Sequence, residues 1–346
     1  MGVADVVAAV VGVQAQIASA GNLSVRVRGG GPTAEAVERA RVEERSIIRA
    51  WAMRGTLHVV ATEDYVWLVG LLGPVAVAAS ARRRAELGLD EGVYARALRT
   101  SVELIAAGGP LTRAELAAGL QARGIDVSGQ RAPHLVGRAS LEGVLCHGPD
   151  VGGKPTVALL ADWAPDVVVG VDRDAALREL ALRYLRAYAP AGPRDLAAWA
   201  GLPQRDARAA FAALGDRLEE VAVRGASAWR PAGAPIDAEP ASGPVVKLLP
   251  HFDTYLLGYE GRDLAVEQPF EKRVLPGGGW LHPTVAVDGR VMAVWKGEKA
   301  KGTLAVMVEP FGRLSRAVRG GIAAEAEDVA RFLGLEGATV EERRAG

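Results

Sequence analysis

The sequence predicts an α+β fold in which tandem winged-helix units precede a C-terminal region rich in strands. Two stretches of the chain resemble each other, and each shows the order helix, helix, helix and β-hairpin that is typical of a winged helix. Beyond residue 244, strand-like runs separated by glycine turns replace the helical pattern. With 346 residues, 49% of them hydrophobic, the chain is long enough for two or more packed domains.

The N-terminal region is predicted to be mostly helical. Its apolar start suits a buried helix, and Thr33 is placed to cap another. A stretch of alternating β-formers predicts a strand before the next helix. The expected elements are helices over 3–13, 36–43 and 46–50, a strand over 56–61, and a helix from a cap at 62–64 to about residue 72.

The internal repeat begins at Gly109-Pro110 and again at Gly192-Pro193. Each copy supplies an N-cap residue or an acidic first turn, with a helix-like run before and after it. The runs cover 91–107 and 130–142 for the first copy, and 175–189 and 204–214 for the second. Strand-like segments follow at 144–160 and 218–230. In such units the third helix usually enters the DNA major groove and the hairpin reaches the backbone or minor groove.

The C-terminal region predicts a small β-barrel or sandwich after a Pro- and Ala-rich linker over 231–244. Asp288-Gly289 is a hairpin signal. The expected strands cover 245–249, 255–257, 284–287, 291–296 and 304–310, and a helix over 325–333 closes the region.

The charge balance restricts how the chain can bind nucleic acid. There are 41 basic and 41 acidic residues, so the formal net charge is zero. Affinity for phosphate comes mainly from clustered Lys and Arg, so positive charge must collect on one surface. A single cysteine, Cys146, excludes a disulfide framework within one chain and suits a reducing cytoplasm. The apolar segment 3–13 is too short for a membrane span, so we expect a cytoplasmic protein without a membrane partner.

Four sequence blocks resemble a known family. They are Val11 to Gln16 (VGVQAQ), Arg49 to His58 (RAWAMRGTLH), Leu249 to Gly258 (LPHFDTYLLG), and His282 to Gly289. Together they resemble the winged-helix DNA-binding proteins that include the bacterial DNA glycosylases active on bulky or crosslinked N7-alkylpurines. The matching text covers most of the chain. The family fold implies three tandem winged-helix units around a concave channel, followed by a C-terminal β-barrel-like domain, with boundaries here at 1–85, 86–170, 171–235 and 245–346.

The resemblance implies that Gln14 and Gln16 are catalytic. One subgroup of the family carries Asp in place of the second glutamine, whereas this chain resembles the subgroup associated with resistance to DNA-alkylating natural products. Family members commonly have a further basic N-terminal helix ahead of the motif. In this sequence only thirteen residues precede the first glutamine of the motif. If that helix helps to wall the channel, the short start calls DNA affinity or activity into question; the alternative is a misassigned start codon.

The chemistry of the glutamine pair fits glycosidic hydrolysis. An N7-alkylated guanine is already cationic and leaves without protonation, so the enzyme must place a water near C1′ and stabilise an oxocarbenium-like transition state. A Gln amide offers an acceptor oxygen and two donor hydrogens, which suits it to holding water. Because Gln is a poor base, we expect positioning to dominate over proton abstraction. No lysine lies near the motif in sequence, so an imine-forming, strand-cleaving mechanism is not indicated.

The spacing of the pair sets a geometric condition. Residues two apart point about 200° apart on an α-helix but share a side in an extended segment. Gln14 and Gln16 must therefore lie at a helix end or in extended chain to act on one water. The alternative is that they simply hydrogen-bond to buried backbone.

Further candidates are basic or aromatic residues, each with a structural alternative. Arg54 is a candidate phosphate contact, while Trp51 and His58 are candidates for lining the channel; the alternatives are a structural arginine, a core tryptophan and a buried histidine. The candidate DNA contacts elsewhere, on the predicted recognition helix and a C-terminal turn, are Arg131, Arg138, Lys296 and Lys299. For the two lysines, a solvated hairpin is the alternative.

The sequence thus predicts a monofunctional DNA glycosylase that excises N7-alkylpurines, bulky or crosslinked ones included, from double-stranded DNA in repair or self-resistance. We expect a monomer. We expect no metal, because His251 and His282 lack metal-ligand spacing, and no nucleotide cofactor, because the glycines at 277–279 lack the Lys-Ser/Thr that follows them in a phosphate-binding loop. Two other classes remain: a non-enzymatic winged-helix regulator, and a protein that sequesters the toxin itself.

Overall fold

The computed structural model describes residues 1–165, 172–235 and 243–343. Its N-terminal region contains α1 (Val3–Ala9), β1 (Val13–Gln14), α2 (Ala18–Arg28), α3 (Ala34–Val42), β2 (Ile47–Trp51), β3 (Leu57–Ala61), α4 (Thr62–Ala79) and α5 (Ala81–Glu86). The predicted strand over 56–61 and the Thr33 cap are confirmed, since Thr33 accepts a hydrogen bond from the Ala36 N–H.

Two predictions for this region are wrong. The helix predicted over 3–13 ends at Ala9, because Val11 and Gly12 adopt left-handed backbone angles, with φ of 59° and 112°. The segment predicted as a helix over 46–50 forms the strand β2. Its apolar residues are buried in a sheet between β3 and a later strand, so pairing partners distant in sequence outweighed the local preference.

The central region contains α6 (Glu91–Gly108), β4 (Leu111–Thr112), α7 (Arg113–Ala122), α8 (Arg131–Leu141), β5 (Leu145–His147), β6 (Thr156–Leu159), α9 (Leu160–Trp163), α10 (Arg173–Tyr188), α11 (Pro193–Ala200), α12 (Gln204–Leu214), β7 (Leu218–Val223) and β8 (Ala226–Pro231). Both repeats therefore show three helices followed by an antiparallel strand pair. Thr112 and Glu115 form a reciprocal capping box that starts α7.

The two strand pairs have different neighbours. Strands β5 and β6 join the N-terminal strands in one sheet of order β1-β3-β2-β5-β6-β4, with Arg49 opposite His147. Strands β7 and β8 form a separate two-stranded sheet. The first and second predicted units thus share one sheet, which brings α7 and α8 beside the glutamine segment.

The C-terminal region contains β9 (Val246–Leu249), α13 (Thr254–Leu257), α14 (Glu271–Val274), β10 (Thr284–Val287), β11 (Arg290–Ala300), β12 (Thr303–Pro310), α15 (Arg316–Phe332) and β13 (Ala338–Glu342). Its sheet has the order β13-β12-β11-β10-β9. The predicted barrel is wrong, because β13 and β9 do not pair and the described sheet stays open, with α15 packed against it.

Two further differences come from this region. The strand predicted over 255–257 is the helix α13, because the buried Asp253 carboxylate caps it by accepting from the Tyr255 N–H at 2.9 Å. The closing helix begins at Arg316 rather than at 325. Half of the predicted linker over 231–244, namely residues 236–242, lies outside the described residues.

The core joins these regions around the glutamine segment. One apolar cluster connects the N-terminal sheet and α4 to α10–α12, with Tyr65, Tyr184 and Trp199 fully buried in it. The helix after the glutamines, α2, is tied to the C-terminal region through Arg28, which donates to Asp253 at 2.6 Å. Within the described ranges, no helix is both long and apolar enough to cross a bilayer.

Candidate active site

The glutamine segment begins in extended chain, because β1 covers Val13–Gln14, and Gln16 lies in the bend that leads into α2. Gln14 lies opposite His58 in the antiparallel pairing of β1 with β3, and the Ala15 N–H donates to the Leu57 carbonyl at 2.8 Å. The guanidinium of Arg49 donates to the Ala15 carbonyl through Nε at 3.2 Å and Nη2 at 3.0 Å. The backbone between the two glutamines is therefore held from both sides.

The two glutamines have different surroundings but similar hydrogen bonds. Gln14 is 7% exposed, and its Oε1 accepts from Arg54 Nη2 at 2.7 Å. Gln16 is exposed, and its Oε1 accepts from the Leu57 N–H at 3.1 Å. A guanidinium and a backbone N–H can only donate, so these contacts fix which end of each amide is the oxygen.

A cavity of about 750 Å³ opens beside this segment. Gln16, Trp51 and Leu57 line it on one side, and residues of α4 and α8 line the other. Its basic lining residues are Arg54, Arg84, Arg113, His134 and Arg138. No Asp or Glu belongs to its lining within the described ranges, so positive charge collects here although the whole chain is formally neutral.

Arg54 links Gln14 to the cavity wall. Its backbone has a φ of 57°, which turns the chain sharply between β2 and β3. Besides Gln14 Oε1, its guanidinium donates to the Trp199 carbonyl at the end of α11. Burial lowers the pKa of Arg54 to about 10, so the group stays charged at neutral pH.

The two residues predicted to line the channel lie differently with respect to this cavity. Trp51 lies on the cavity wall and stacks on His147 with ring centroids 5.4 Å apart. The prediction for His58 is wrong, because this residue is 1% exposed between β1 and β2 and does not line the cavity. Burial lowers the pKa of His58 to about 3, and its Nδ1 lies 3.0 Å from the Thr56 carbonyl oxygen.

The two arginines predicted to contact DNA from α8 are paired within the protein. Arg138 donates to both carboxylate oxygens of Glu91 at 2.8 and 2.7 Å and to Glu142 at 2.8 Å. Its guanidinium also lies 3.8 Å from the centre of the Tyr94 ring. Arg131 forms an ion pair with Asp126 and donates to the Gly88 carbonyl at 3.1 Å. Both charges are therefore balanced within the protein.

The two lysines lie on another surface. Lys296 and Lys299 are exposed on β11, and Lys296 is 3.3 Å from Glu298. Both line a smaller cavity of about 290 Å³ between α2 and the C-terminal sheet, which Ile17 also lines. This cavity begins one residue beyond Gln16 but is separate from the large basic one.

Several residues of the site are not apparent from the sequence. Arg113, Trp199 and Gly201 reach it from elements far along the chain, and nothing in their local sequence indicates the glutamines. Arg49 is the first residue of the sequence block that ends at His58, and that block is the feature of the sequence that indicates Arg49. Arg84 belongs to a run of three arginines.

Comparison with known proteins identifies the class of enzyme. The structure is similar to the solved Streptomyces sahachiroi DNA glycosylase AlkZ, with a TM-score of 0.81 and 29% identity over 99% of this chain and 94% of that one. A curated relative from the same organism, described as an interstrand DNA cross-link repair glycosylase, is 32% identical over 96% of this chain and 91% of its own length. The protein is a DNA glycosylase.

The family model for AlkZ-like DNA glycosylases matches residues 7–332. The chain belongs to this family. The match includes the glutamine segment, the basic cavity beside it and most of the C-terminal sheet.

Proposed function

We propose that this protein is a monofunctional glycosylase that hydrolyses the N-glycosidic bond of N7-alkylated purines in DNA, crosslinked purines included, in repair or self-resistance. The observation that carries the proposal is the pair of oriented amides at a basic cavity whose described lining contains no carboxylate. Gln14 and Gln16 are the proposed catalytic residues.

The proposed reaction needs no acid from the protein. The oxygen of a water forms a bond to C1′, and the electron pair of the bond between C1′ and N9 leaves with the base. Because the N7-alkylpurine is cationic while attached, it departs as a neutral molecule, and the proton of the water passes to solvent. A site without a general acid suits this leaving group and would fail with an unmodified purine.

The two amides are suited to holding that water. Each Oε1 has one lone pair engaged, by Arg54 or by the Leu57 N–H, and each retains a second one. The exposed Gln16 borders the cavity directly, while Gln14 is rigidly held behind it. A fixed water next to C1′ gains the advantage of pre-arranged reactants.

The size of the cavity and one relative support a bulky substrate. A volume of about 750 Å³ is in the range of pockets that hold a drug-sized ligand, which is larger than a single base. A relative that is 32% identical is described as a cross-link repair glycosylase. Both favour adducts that a tight base-flipping pocket would exclude.

We also propose that the two repeats are winged-helix units that bind the duplex, with a further unit at the N-terminus. Their order of three helices and a strand pair supports this. Arg113 is the best-placed phosphate contact in the cavity, since it makes no hydrogen bond or ion pair with any described residue. Arg131 and Arg138 suit that role less well, because carboxylates already neutralise them.

The test is release of free base from defined duplexes. With a duplex that carries one 7-methylguanine, we expect free 7-methylguanine and an alkali-labile abasic site, and no enzyme–DNA adduct after borohydride reduction. A duplex linked through two guanine N7 atoms should separate on a denaturing gel. Sequence-selective binding of undamaged duplex, without base release from either substrate, would instead favour a regulator.

A further inference from the structure

Arg54 holds two parts of the molecule together through neutral acceptors. Its Nη2 donates to Gln14 Oε1 at 2.7 Å, and its Nη1 donates to the Trp199 carbonyl. No carboxylate pairs with it among the described residues. A charged group in this position needs acceptors from the protein, and the two it has are an amide oxygen and a helix carbonyl.

The end of α11 is built to receive this arginine. Trp199 lies in the last turn of the helix, where carbonyl groups lack partners within the helix and the helix dipole favours a cation. Gly201 follows α11 directly as its C-cap residue and adopts the left-handed conformation, with a φ of 76°. A Cβ on Gly201 would lie 3.0 Å from Arg54 Cα and 3.2 Å from Arg54 N, so the close approach requires glycine.

We propose that Arg54 is a positioning residue for Gln14, held in place by the end of α11. This inference rests on the proposed function of the glutamine pair. Because a guanidinium only donates, rotation of the Gln14 amide by 180° would set an NH₂ group against Arg54, two donors facing each other. Arg54 therefore fixes the orientation in which Gln14 presents its remaining lone pair and its NH₂ group.

A phosphate contact, the other role considered for Arg54, predicts different behaviour. Arg54 has five N–H donors and uses two of them, one on each terminal nitrogen, to hold acceptors of the protein, so a phosphate could take only the remaining donors. A positioning residue acts on the chemical step, while a phosphate contact acts on affinity and on its salt dependence.

The first experiment separates these roles with Arg54→Met and Arg54→Lys. We expect Arg54→Met to lower the single-turnover rate of 7-methylguanine release about 30- to 100-fold at saturating enzyme, with the Kd for undamaged duplex changed less than about twofold. Arg54→Lys should recover little of the rate, because one ammonium cannot reproduce the fork that spans both acceptors. An unchanged rate with weaker binding, a salt slope smaller by about one, and rescue by lysine would overturn the proposal.

The second experiment tests whether the end of α11 holds Arg54 in place, with a matched pair of glycine variants. Gly201 and Gly124 both follow a helix and have similar left-handed angles, with φ of 76° and 72°, but a Cβ on Gly124 would meet nothing within 4 Å. Both alanine variants carry the same backbone strain, and only Gly201→Ala pushes on Arg54. We expect at least a tenfold loss of rate for Gly201→Ala and less than twofold for Gly124→Ala. Equal losses of rate in the two variants would contradict the claim that the end of α11 holds Arg54 in place.

A third measurement does not depend on activity. In protein labelled with ¹⁵N at glutamine side chains, the Gln14 NH₂ signals are assigned by their loss in Gln14→Ala. We expect two sharp, well-separated signals in the wild type and shifted or broadened ones in Arg54→Met and Gly201→Ala. Unchanged signals would overturn the positioning role. A wild type that releases no base would sink the proposed function, yet these signals would still report on Arg54.

Discussion

Two arginines line the same cavity and are held in opposite ways. At the glutamine end, which consists of Gln14, Gln16 and Arg54, the guanidinium meets only neutral acceptors and burial lowers its pKa to about 10. At the α8 end, Arg138 meets Glu91 and Glu142, and hydrogen bonding to Glu91 raises its pKa above the ordinary value.

This difference distinguishes an arginine that orients a proposed catalytic side chain from one that stabilises the packing of two helices. The charge of Arg138 is balanced by carboxylates and by the Tyr94 ring, so it stabilises the packing of α8 against α6. The charge of Arg54 has no carboxylate partner among the described residues and is directed at the oxygen of Gln14. The comparison therefore supports the proposal that the chemistry occurs at the glutamine end, and the following changes test it.

The largest effect is expected from replacing both glutamines. Gln14→Ala with Gln16→Ala removes both water-holding amides, so single-turnover release of 7-methylguanine should fall at least about 100-fold. Gln121→Ala, an exposed glutamine on α7, is the control and should keep the wild-type rate. Unchanged release by the double variant would rule out the role of the pair.

A smaller loss of rate is expected from Gln14→Glu, without a loss of stability. The new carboxylate would still accept from Arg54, now as an ion pair, but would lack the NH₂ donors. Release should fall more than about tenfold, while the Tm should stay the same or rise. A lower Tm would show that Arg54 does not hold this side chain in solution.

At the α8 end the pattern should be reversed. Arg138→Ala removes the partner of two carboxylates, and we expect a loss of about 1–2 kcal/mol in the free energy of unfolding, limited by the exposure of Glu91. The rate of base release at saturating enzyme should stay within about twofold of wild type, as measured by the same single-turnover assay. A tenfold slower release would move the chemistry toward α8 and break the comparison.

The smallest effect is expected from pH. Arg54 at the glutamine end has a pKa of about 10, and His58, which lies opposite Gln14 in the sheet, has one of about 3, so neither changes charge near neutrality. His134, at the α8 end, has a pKa lowered by burial from its usual 6.5. The single-turnover rate should therefore be flat between pH 7 and 8.5. A rise of tenfold per pH unit in this range would indicate a general base that the comparison does not contain.

The sequence predicted several individual helices and strands well, but it predicted poorly which of them pack or pair with one another. The helix over Gln204–Leu214 and the strand over Thr284–Val287 match the predictions at both ends, because capping and β-branched patterns act locally. The strand β2 and the helix α13 were missed because a sheet partner and the buried Asp253 decide them. Whether a sheet closes depends on pairing between strands far apart in the chain, and no local pattern records it.

The site follows the same rule. The spacing of Gln14 and Gln16 required either a helix end or extended chain, and Gln14 lies in the strand β1, so one of the two alternatives that local geometry allows is present. The different partners of Arg54 and Arg138 were not predictable, because they come from α11 and α6, which approach only after folding. The sequence block that contains Arg54 and the predicted recognition helix that carries Arg138 made both arginines candidate DNA contacts.

The most direct test is a structure with a duplex that carries a cationic pyrrolidine in place of one deoxyribose, a mimic of the oxocarbenium-like transition state. The account predicts that the ring nitrogen lies in the large basic cavity, within about 4 Å of the Gln14 or Gln16 amide directly or through one ordered water. A ring bound at the C-terminal sheet, or beside Arg138 and away from both glutamines, would contradict it.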